Sequence, residues 1–407
     1  MRRKRPGTRA HRALLIVENV SLARDHRLRK QVQALKSAAV SVTVICRADP
    51  SNGAYAEGIR LLQYPAPRDA QTKAGFLIEY AASTVWAALY TCAVAIRPGF
   101  DVLQISGSPD IGFAFASPFK LLGKRFVFDQ RDLAPETYAA RYDRVGDLAH
   151  RALLWCENLS YRSADHVLVV NESLRQVALR RGGVPETRLT IVGNGPTLCS
   201  VQPRGAVPSL RAGRNHLVVW NGVMGPQDQL ELSLRAISTL MRGEDPPSCR
   251  FVFLGDGDAR PAAMALAHDL GIADFVDFPG WVEQAEAFDY LATADIGIEP
   301  NLEPYVSPVK VMEYMAFSIP TVAFNTEETR RLAEGAAELV PPGDVDAFAA
   351  AIGRLLRDPA GRSLLGRIGR QLIENKVAWD HQSERFLSTY RQLLSLPSEK
   401  PIGRGWG

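Results

Sequence analysis

Cysteine is scarce in this chain, which has 407 residues but only five cysteines. No two of them lie at the spacing of a zinc knuckle or a redox Cys-x-x-Cys motif, so we expect a reducing compartment. His, Asp and Glu also form no cluster at metal-ligand spacing, and the sequence therefore predicts no metal site. The cysteines are Cys46, Cys92, Cys156, Cys199 and Cys249.

Long uninterrupted apolar runs are lacking too. The longest, residues 74–96, contains Glu79, Ser83 and Thr84. It is long enough to cross a bilayer, but polar positions are costly in lipid, so we favour a buried or surface-lying amphipathic helix. The first apolar run, residues 13–17, is too short for a secretory signal. We therefore expect a cytoplasmic location, with peripheral attachment to the inner face of the cell membrane as a further option.

Positive charge is concentrated at the start of the chain. The formal net charge is +4, but the first fifty residues hold twelve Lys and Arg against three Asp and Glu, a surplus of nine. A polybasic segment followed by an apolar helix is typical of proteins that dock on anionic membranes. We expect no nucleic-acid partner.

The composition is that of a globular protein, with 46% apolar and 23% charged residues, and the length favours two large domains or three small ones. Short apolar runs alternate twice with helical patterns, which predicts the α/β class: two Rossmann-like domains, each with a parallel sheet, facing across a cleft. The predicted parts are an N-terminal domain (1–200), a linker (201–214), a C-terminal domain (215–380), a helix (381–395) and a disordered tail (396–407).

The most informative segment is residues 307–316, which predicts a helix that begins beside an anion. Ser307 is a good N-cap and a proline follows it. Lys310 would place a cation at the positive end of the helix dipole, which makes sense if an anion binds there. Glu313 would lie on the same face and could accept from a ribose diol. The alternative is a capped surface helix with an ion pair between Lys310 and Glu313.

Two further turns follow predicted strands of the second half. Gly222 and Gly225 would allow close approach of the backbone to a ligand, although a simple βα turn is the alternative. Trp281 and Val282 follow another strand, where backbone groups could hold a planar base; packing of the tryptophan is the alternative. The Asp256-Gly257-Asp258 segment is interpreted as a turn with an N-cap and not as a metal motif.

With these segments in view, residues 13–395 resemble the retaining GT-B glycosyltransferases of family four. In the second half the resemblance rests on residues 222–228, 253–257, 278–282 and 310–316. In the first half it rests on residues 25–27, 129–136 and 194–196. It implies that Glu313 bonds the donor ribose, that the Gly222–Gly225 turn and residues 307–309, including Val309, bind the donor diphosphate, and that the backbone near Val282 holds the base.

The chain departs from the family pattern at three places. Tyr305 stands where the family commonly has a first glutamate, eight positions before Glu313. Val223 and Asp228 stand where an Arg and a Lys of the phosphate loop are common. Arg131 stands where a His is common in the first half. A subgroup of the family shares the first two changes, which suggest an altered arrangement of cations.

The resemblance implies transfer of a sugar from a nucleoside diphosphate sugar, UDP- or GDP-linked, to a hydroxyl of a glycan or lipid-linked acceptor, with retention at the anomeric carbon. Such transferases serve polysaccharide and cell-envelope biosynthesis. Donors arranged around the departing diphosphate, including Lys310 and Arg131, would carry catalysis, and neither a metal nor a cofactor beyond the co-substrate is expected. The alternatives are a noncatalytic nucleotide-sugar-binding protein and a GT-B epimerase or phosphorylase.

The acceptor side is assigned to the first half. Arg24 and Arg27, with His26 and Arg29, form a basic group after the first strand that could meet a phosphate-bearing acceptor. Asp132, beside Arg131, is placed on the same side. The alternative for the basic group is a solvated helix face.

Overall fold

The computed structural model describes residues 10–65, 73–107, 110–142, 144–201 and 204–395, without the side chains of 73–80 and 141. The basic residues at positions 2–9 and the predicted disordered tail at 396–407 lie outside the described residues. The chain divides into two compact domains. The first comprises the residues up to Val192 together with those from Ser383 onward, and the second is Gly193–Gln382.

The first domain is built on a seven-stranded parallel sheet in the order β3-β2-β1-β4-β5-β6-β7. Most of its strands are apolar and buried, as expected for a sheet covered on both faces. The strands are β1 Arg12–Val17, β2 Ser41–Arg47, β3 Arg60–Tyr64, β4 Val102–Ser106, β5 Arg125–Gln130, β6 His166–Val169 and β7 Leu189–Ile191.

Seven helices belong to the described part of this domain. Side-chain caps fix three of their starts: Asp25 accepts from the Leu28 N–H, Asp147 from the His150 N–H and Asn171 from the Leu174 N–H. The helices are α1 His26–Ser37, α2 Lys73–Ile96, α3 Phe113–Leu121, α4 Ala134–Tyr142, α5 Leu148–Ser163, α6 Glu172–Arg180 and, from Ser383 onward, α14 Trp379–Leu394.

The second domain repeats the plan with a six-stranded parallel sheet in the order β10-β9-β8-β11-β12-β13. Its strands are β8 His216–Asn221, β9 Cys249–Leu254, β10 Val276–Gly280, β11 Ile296–Glu299, β12 Thr321–Phe324 and β13 Ala337–Val340. Its helices are α7 Leu230–Met241, α8 Arg260–Asp269, α9 Gln284–Thr293, α10 Val309–Ala316, α11 Glu327–Ala333, α12 Val345–Arg357 and α13 Pro359–Leu372.

The prediction of two Rossmann-like α/β domains is confirmed, and each predicted strand has a counterpart. Strand β3 was not predicted: it lies at the sheet edge, where its side chains are only partly buried and leave no continuous apolar run. The domain limits in the structure differ in detail. The first domain ends at Val192 and not near residue 200, and α14 begins at Trp379.

The apolar segment 74–96 forms α2, the longest described helix. Its orientation is unusual, because small and polar side chains, Ser83, Ala87 and Thr91, are buried, whereas Val85 and Leu89 are more than half exposed. Within the part of the chain that the structure describes, no helix has both the length and the apolar character needed to cross a membrane.

Candidate functional site

The strand orders define one preferred ligand position in each domain. In an open parallel sheet, ligands bind beyond the carboxyl ends of the strands, at the point where the strand order reverses. That point lies between β8 and β11 in the second domain and between β1 and β4 in the first. In the second domain the residues that follow these strands are the predicted glycine turn and the segment leading to α10.

Helix α10 is held close to the end of β11. The Tyr314 ring packs directly on Gly297, since a side chain at position 297 would lie 2.4 Å from the ring. The Tyr314 hydroxyl donates to the Ile298 carbonyl and accepts from the Asn221 N–H. This buried tyrosine therefore fixes the preceding residue, Glu313, beside the end of β8.

Glu313 lies where the sequence predicted a carboxylate acceptor. Its Oε2 accepts a hydrogen bond of 2.7 Å from Asn221 Nδ2, so the last residue of β8 orients it. The Asn221 Oδ1 atom is buried and has no partner among the described residues. A carboxylate and an amide oxygen at the strand ends suit a ligand that brings hydroxyl donors.

The start of α10 differs from the prediction. The helix begins at Val309, and its N-cap is Pro308, whose ψ of 68° is not helical. Because Pro308 departs from the helix, the Ser307 hydroxyl caps no N–H, and it has no partner in the part of the chain that the structure describes. The first-turn N–H groups have no side-chain cap, and Val309 is exposed. An uncapped helix start beside a free hydroxyl can receive an anion.

Lys310 is engaged within the protein. Its Nζ lies 2.7 Å from Asp228 Oδ1, 3.8 Å from Glu299 Oε2 and 4.8 Å from the centre of the Trp220 ring. Burial would lower the pKa of Lys310, but the carboxylates of Glu299 and Asp228 raise it. The ammonium thus stays charged, but both the predicted free cation and the alternative pair with Glu313 are replaced by a bond to Asp228.

The glycine turn is less open than predicted. The Gly222 N–H donates to the Leu254 carbonyl, the Met224 N–H to the Asp256 carbonyl and the Gly225 N–H to Asp228 Oδ2. The Asp228 carboxylate therefore accepts hydrogen bonds from the Gly225 N–H and the Lys310 ammonium, both of which were expected to bind the donor diphosphate. The expectation of free N–H groups at Gly222 and Gly225 is corrected by these contacts.

The glycines nevertheless bring two strand ends, those of β8 and β9, into close contact. A side chain at Gly255 would lie 1.8 Å from the Gly222 carbonyl oxygen, and one at Gly257 would lie 2.5 Å from the Met224 oxygen. Gly222, Gly255 and Gly257 all have positive φ. Asp256 accepts from the Gly257 N–H, so the turn interpretation of this segment holds, but it caps no helix because α8 begins later, at Arg260.

The other predicted donor residues lie near these ends with differing exposure. Trp281 follows β10 and is 72% exposed, so it does not pack in the core, whereas Val282 packs against an apolar cluster. Tyr305 is partly exposed in the loop before α10.

In the first domain, two of the predicted residues, Arg27 and Arg131, lie beside Asp129 at the end of β5. The Arg27 guanidinium approaches its two oxygens at 2.8 and 3.3 Å, and Arg131 Nε lies 3.4 Å away. Burial would raise the pKa of Asp129, but Arg27 and Arg131 hold it well below the usual range. Arg131 also pairs with Asp25, and its Nη2 is buried with no hydrogen-bond partner among the residues described.

The predicted basic group is therefore split. Arg24 is exposed and only 3.7 Å from an Asp49 oxygen, and His26 is also exposed. Arg27 instead points into the domain, because a buried carboxylate at Asp129 requires a cationic partner. Asp132 is exposed beside Arg131.

Three residues at the strand ends were missed by sequence reasoning. Glu299 ends β11 and is buried against Lys310; burial raises its pKa although Lys310 opposes the rise. Arg260 begins α8, and its Nη2 reaches the Phe278 carbonyl of β10. Glu18 follows β1 and is buried, and within the described residues its carboxyl oxygens have no hydrogen-bond partner. A polar residue directly after an apolar run is the signal that could have found Glu18 and Glu299.

Among the described residues, no three His, Cys, Asp or Glu side chains are grouped so that they could hold a metal ion. At the strand ends of the second domain, Asp228 instead accepts from Lys310, and Glu299 accepts from the Asn301 N–H.

Comparison with known proteins assigns the family. A model described as "Glycosyl transferase 4-like domain" matches residues 25–195, and a model described as "Glycosyl transferases group 1" matches residues 215–358. The chain belongs to the group 1 glycosyltransferases. The two matches cover most of the chain, one in each domain, and agree with the family expected from the motifs.

Among curated relatives, the chain is 24% identical over 261 residues to an alpha-D-kanosaminyltransferase of Streptomyces kanamyceticus, covering 62% of this chain and 66% of the relative. It is 25% identical over 257 residues to a D-inositol 3-phosphate glycosyltransferase of Kineococcus radiotolerans, covering 57% of this chain and 58% of that protein. The chain thus spans less than two thirds of the length of these relatives.

Solved structures extend the likeness over both domains. A sucrose-phosphate synthase of Thermosynechococcus elongatus superposes with a TM-score of 0.75 at 18% identity, covering 95% of this chain and all of that one. The Anabaena protein HepE, in complex with UDP and glucose, superposes with a TM-score of 0.73 at 16% identity, covering 94% of this chain and all of that one. At these identities the likeness establishes the fold, which is that of GT-B proteins.

Proposed function

We propose that this protein transfers a sugar from a nucleoside diphosphate sugar, UDP- or GDP-linked, to a hydroxyl group of a glycan or lipid-linked acceptor. One observation carries the proposal: the switch point of the second domain joins the Glu313–Asn221 pair to the uncapped start of α10. Hydroxyl-binding oxygens beside a helix end that attracts anions match a ribose next to a diphosphate. Relatives named as glycosyltransferases support the same class of donor.

We further propose that the anomeric configuration is retained. Among the described carboxylates nearest the switch point of the second domain, Asp228 and Glu299 contact Lys310 and Glu313 accepts from Asn221, so we assign none of the three as a nucleophile. The bond from the anomeric carbon to the diphosphate would break first, giving an oxocarbenium-like ion pair. The acceptor oxygen then bonds to the same face of the sugar, and its proton goes to the departing diphosphate.

The departing diphosphate would be stabilised by this chain's own groups. The first-turn N–H groups of α10 have no side-chain cap, the Ser307 hydroxyl has no partner among the described residues, and Lys310 adds a positive charge beside them. Donors of this kind do not require a metal ion, and we propose metal-independent transfer with no other cofactor.

A screen of nucleotide sugars tests the proposal. Thermal stabilisation of the full chain by UDP-linked and GDP-linked sugars, with and without EDTA, should identify the donor base. Slow release of the nucleoside diphosphate from the stabilising donor, and its acceleration by acceptor glycans, should follow without added metal. Stabilisation without any hydrolysis or transfer would favour the second candidate below, and metal-reversible loss of transfer in EDTA would contradict metal independence.

A noncatalytic nucleotide-sugar-binding protein is the second candidate, and the Asp228 contacts favour it. The carboxylates of Asp228 and Glu299 give the Lys310 cluster more negative than positive groups, which weakens attraction for a diphosphate. The donor hydrolysis measured above separates the two candidates.

We also propose that the first domain docks on the inner face of the cell membrane. Helix α2 exposes large apolar side chains, Val85, Leu89 and Ile96, and buries small or polar ones. Apolar side chains on one exposed face, together with the basic start of the chain, suit the surface of an anionic bilayer. Docking would bring the protein to a lipid-linked acceptor of cell-envelope polysaccharide synthesis.

A further inference from the structure

A cavity of about 280 Å³ opens at the amino edge of the first-domain sheet, where β1, β2 and β3 begin. This edge is opposite the one at which open parallel sheets bind their substrates. The volume is at the small end of ligand cavities, so it suits one chemical group better than a whole glycan. The lining includes Arg12, Ser41, Thr43, Gly58, Arg60 and Pro98.

The strand register places four polar side chains on one face of the sheet at this edge. Arg12 of β1 is paired with Ser41 of β2, and Thr43 of β2 is paired with Arg60 of β3. Paired residues of neighbouring strands project from the same face, and so do residues two apart along one strand. Two guanidinium groups therefore flank the two hydroxyl groups of β2.

Both guanidinium groups have donors to spare. Nη1 of Arg12 donates to the Pro98 carbonyl and Nη1 of Arg60 to the Arg97 carbonyl, so the loop after α2 holds both in place. A guanidinium has five N–H donors, and these contacts use one in each residue. Within the described chain neither arginine forms an ion pair, because the neighbouring Asp101 accepts from the backbone N–H of Arg12.

Lys36 adds a third cation beside the cavity. A side chain at Gly58 would lie 3.2 Å from Lys36 Nζ, so the ammonium covers this part of the lining. Three cations beside two hydroxyl groups attract an anion with several acceptor oxygens. A phosphate group has this chemistry, and guanidinium groups bind it through two parallel hydrogen bonds. Capping of the end of α2 uses one donor of each arginine and does not account for the rest.

Exposed apolar side chains at the same edge indicate a lipid as the source of the phosphate. Ile96 ends α2 and is 87% exposed, and Leu121 ends α3 and is 90% exposed. Such side chains contribute nothing to the binding of a soluble phosphate compound, whereas the head-group region of a bilayer accommodates apolar and cationic groups together. The basic residues 2–9 also precede β1 directly in the sequence.

We propose that the cavity between Arg12 and Arg60 binds the phosphate group of an anionic membrane phospholipid and thereby orients the first domain on the bilayer. The choice of a lipid rests on the membrane docking proposed above, and the sugar-transfer reaction does not enter the argument. Membrane contact then has a specific part at the cavity and a diffuse part from the basic segment and α2.

Co-sedimentation of the full-length protein with phosphatidylcholine vesicles that contain phosphatidylglycerol tests the proposal. Arg12→Lys/Arg60→Lys keeps both charges but removes the guanidinium groups, and it should weaken vesicle binding at least about tenfold. Arg151→Gln is the matched control, because it removes one exposed charge in the first turn of α5. It should weaken binding less than about threefold. Diffuse charge attraction predicts the reverse order, since only the control loses charge.

A second variant separates lost recognition from a lost fold. The Ser41 side chain is exposed and makes no hydrogen bond to another described residue, so Ser41→Ala should leave the Tm unchanged. It removes a donor from the cavity and should still weaken vesicle binding about threefold. The lysines of the double variant can donate to the same two carbonyls, so its Tm should also stay close to that of the wild type.

Glycerol 3-phosphate, followed by phosphorus NMR, distinguishes a soluble ligand from a lipid and should bind the wild type more weakly than the vesicles do. Equal vesicle binding by the wild type and both cavity variants would overturn the proposal but leave membrane docking in place. A larger loss in Arg151→Gln than in the lysine variant, or tighter binding of glycerol 3-phosphate than of vesicles, would also overturn it. Absence of vesicle binding by the wild type would overturn both the cavity site and the docking. Failure of UDP and GDP to bind would instead contradict the proposed sugar transfer.

Discussion

Three buried carboxyl groups at strand ends have different surroundings and therefore different charges. Asp129 is held ionised by two guanidinium groups, and Glu299 faces a single ammonium. Glu18 has no cationic partner in the described part of the chain, and burial raises its pKa to about 8. All three carboxyl groups are buried at strand ends, so burial does not by itself determine their charge. The charge depends on the nearest cation. Each of these residues should respond differently to substitution and to pH.

Glu313→Ala should weaken the binding of the nucleoside diphosphate that stabilises the wild type. Loss of a charge-assisted hydrogen bond to a ribose hydroxyl is worth roughly 1.5–3 kcal/mol, or about 10- to 150-fold in affinity. Isothermal titration calorimetry with UDP or GDP measures the change. Glu313→Gln keeps an acceptor oxygen and should lose less. Equal affinities for wild type and Glu313→Ala would remove Glu313 from the nucleotide site.

Glu18→Gln should stabilise the protein more at neutral than at acidic pH. Between about pH 4.5 and 8 the folded wild type keeps a proton on Glu18 that the unfolded chain has released, so wild-type stability from this group falls as the pH rises. Glutamine does not titrate. The stability gain of the variant should therefore be roughly 2 kcal/mol larger at pH 7 than at pH 5. Chemical denaturation at both values measures it, and a gain independent of pH would contradict an elevated pKa.

At the scale of elements, helix starts and strand ends create the candidate site of the second domain. Helix α10 is fixed by Tyr314 on Gly297, and its first turn is left uncapped by Pro308. Lys310 joins this helix to the turn after β8 through Asp228 and to β11 through Glu299. One side chain thus connects three elements, and its removal should affect all of them.

Lys310→Met should destabilise the protein by about 3 kcal/mol or more, because it leaves two buried carboxylates without their cation. Adding Asp228→Asn should recover part of the loss. Arg235→Met is the matched control, since Arg235 pairs with Glu231 on an exposed face of α7 and should cost less than about 1 kcal/mol. Denaturant unfolding of the three variants measures these values. Similar losses for the two single variants would mean that the Lys310 cluster is effectively solvated.

The sequence predicted the elements of this site better than their contacts. Apolar runs located every strand except β3. Pro308 located the start of α10 to within one residue. Both signals are local, because the burial of a strand and the backbone restriction of proline act on neighbouring residues. The bond of Lys310 to Asp228 joins residues far apart in the sequence, and no local pattern encodes it. Arg27 was placed on the surface for the same reason, since its partner Asp129 lies on another strand. The unpartnered oxygens of Glu18 are a property of the packed fold alone.

At the scale of the whole molecule, each of the two domains contains a parallel sheet with a switch point. The residues at the two switch points differ. The second domain offers an uncapped helix start and hydroxyl-binding groups, whereas the first offers partnerless oxygens at Glu18 and Asp110. The exposed apolar face of α2 belongs to the first domain as well. We therefore expect the nucleotide to bind in the second domain and any membrane contact to involve the first.

Membrane attachment should depend on both the basic start of the chain and α2. Deleting residues 2–9 removes Arg2, Arg3, Lys4, Arg5 and Arg9, each worth about 1 kcal/mol near an anionic surface within a Debye length of roughly 8 Å. Flotation with anionic vesicles should drop sharply for the truncated protein at low salt and less at high salt.

Leu89→Glu, on the exposed face of α2, should reduce flotation at both salt concentrations, because it removes apolar contact and not only charge attraction. Met264→Glu places the same charge on an exposed apolar position of α8 in the second domain and serves as the control. It should float like the wild type, and hydrolysis of the donor should be the same in all four proteins. If wild type, truncated protein and Leu89→Glu float equally, or none floats, the basic segment only improves solubility. The acceptor then need not be linked to a lipid.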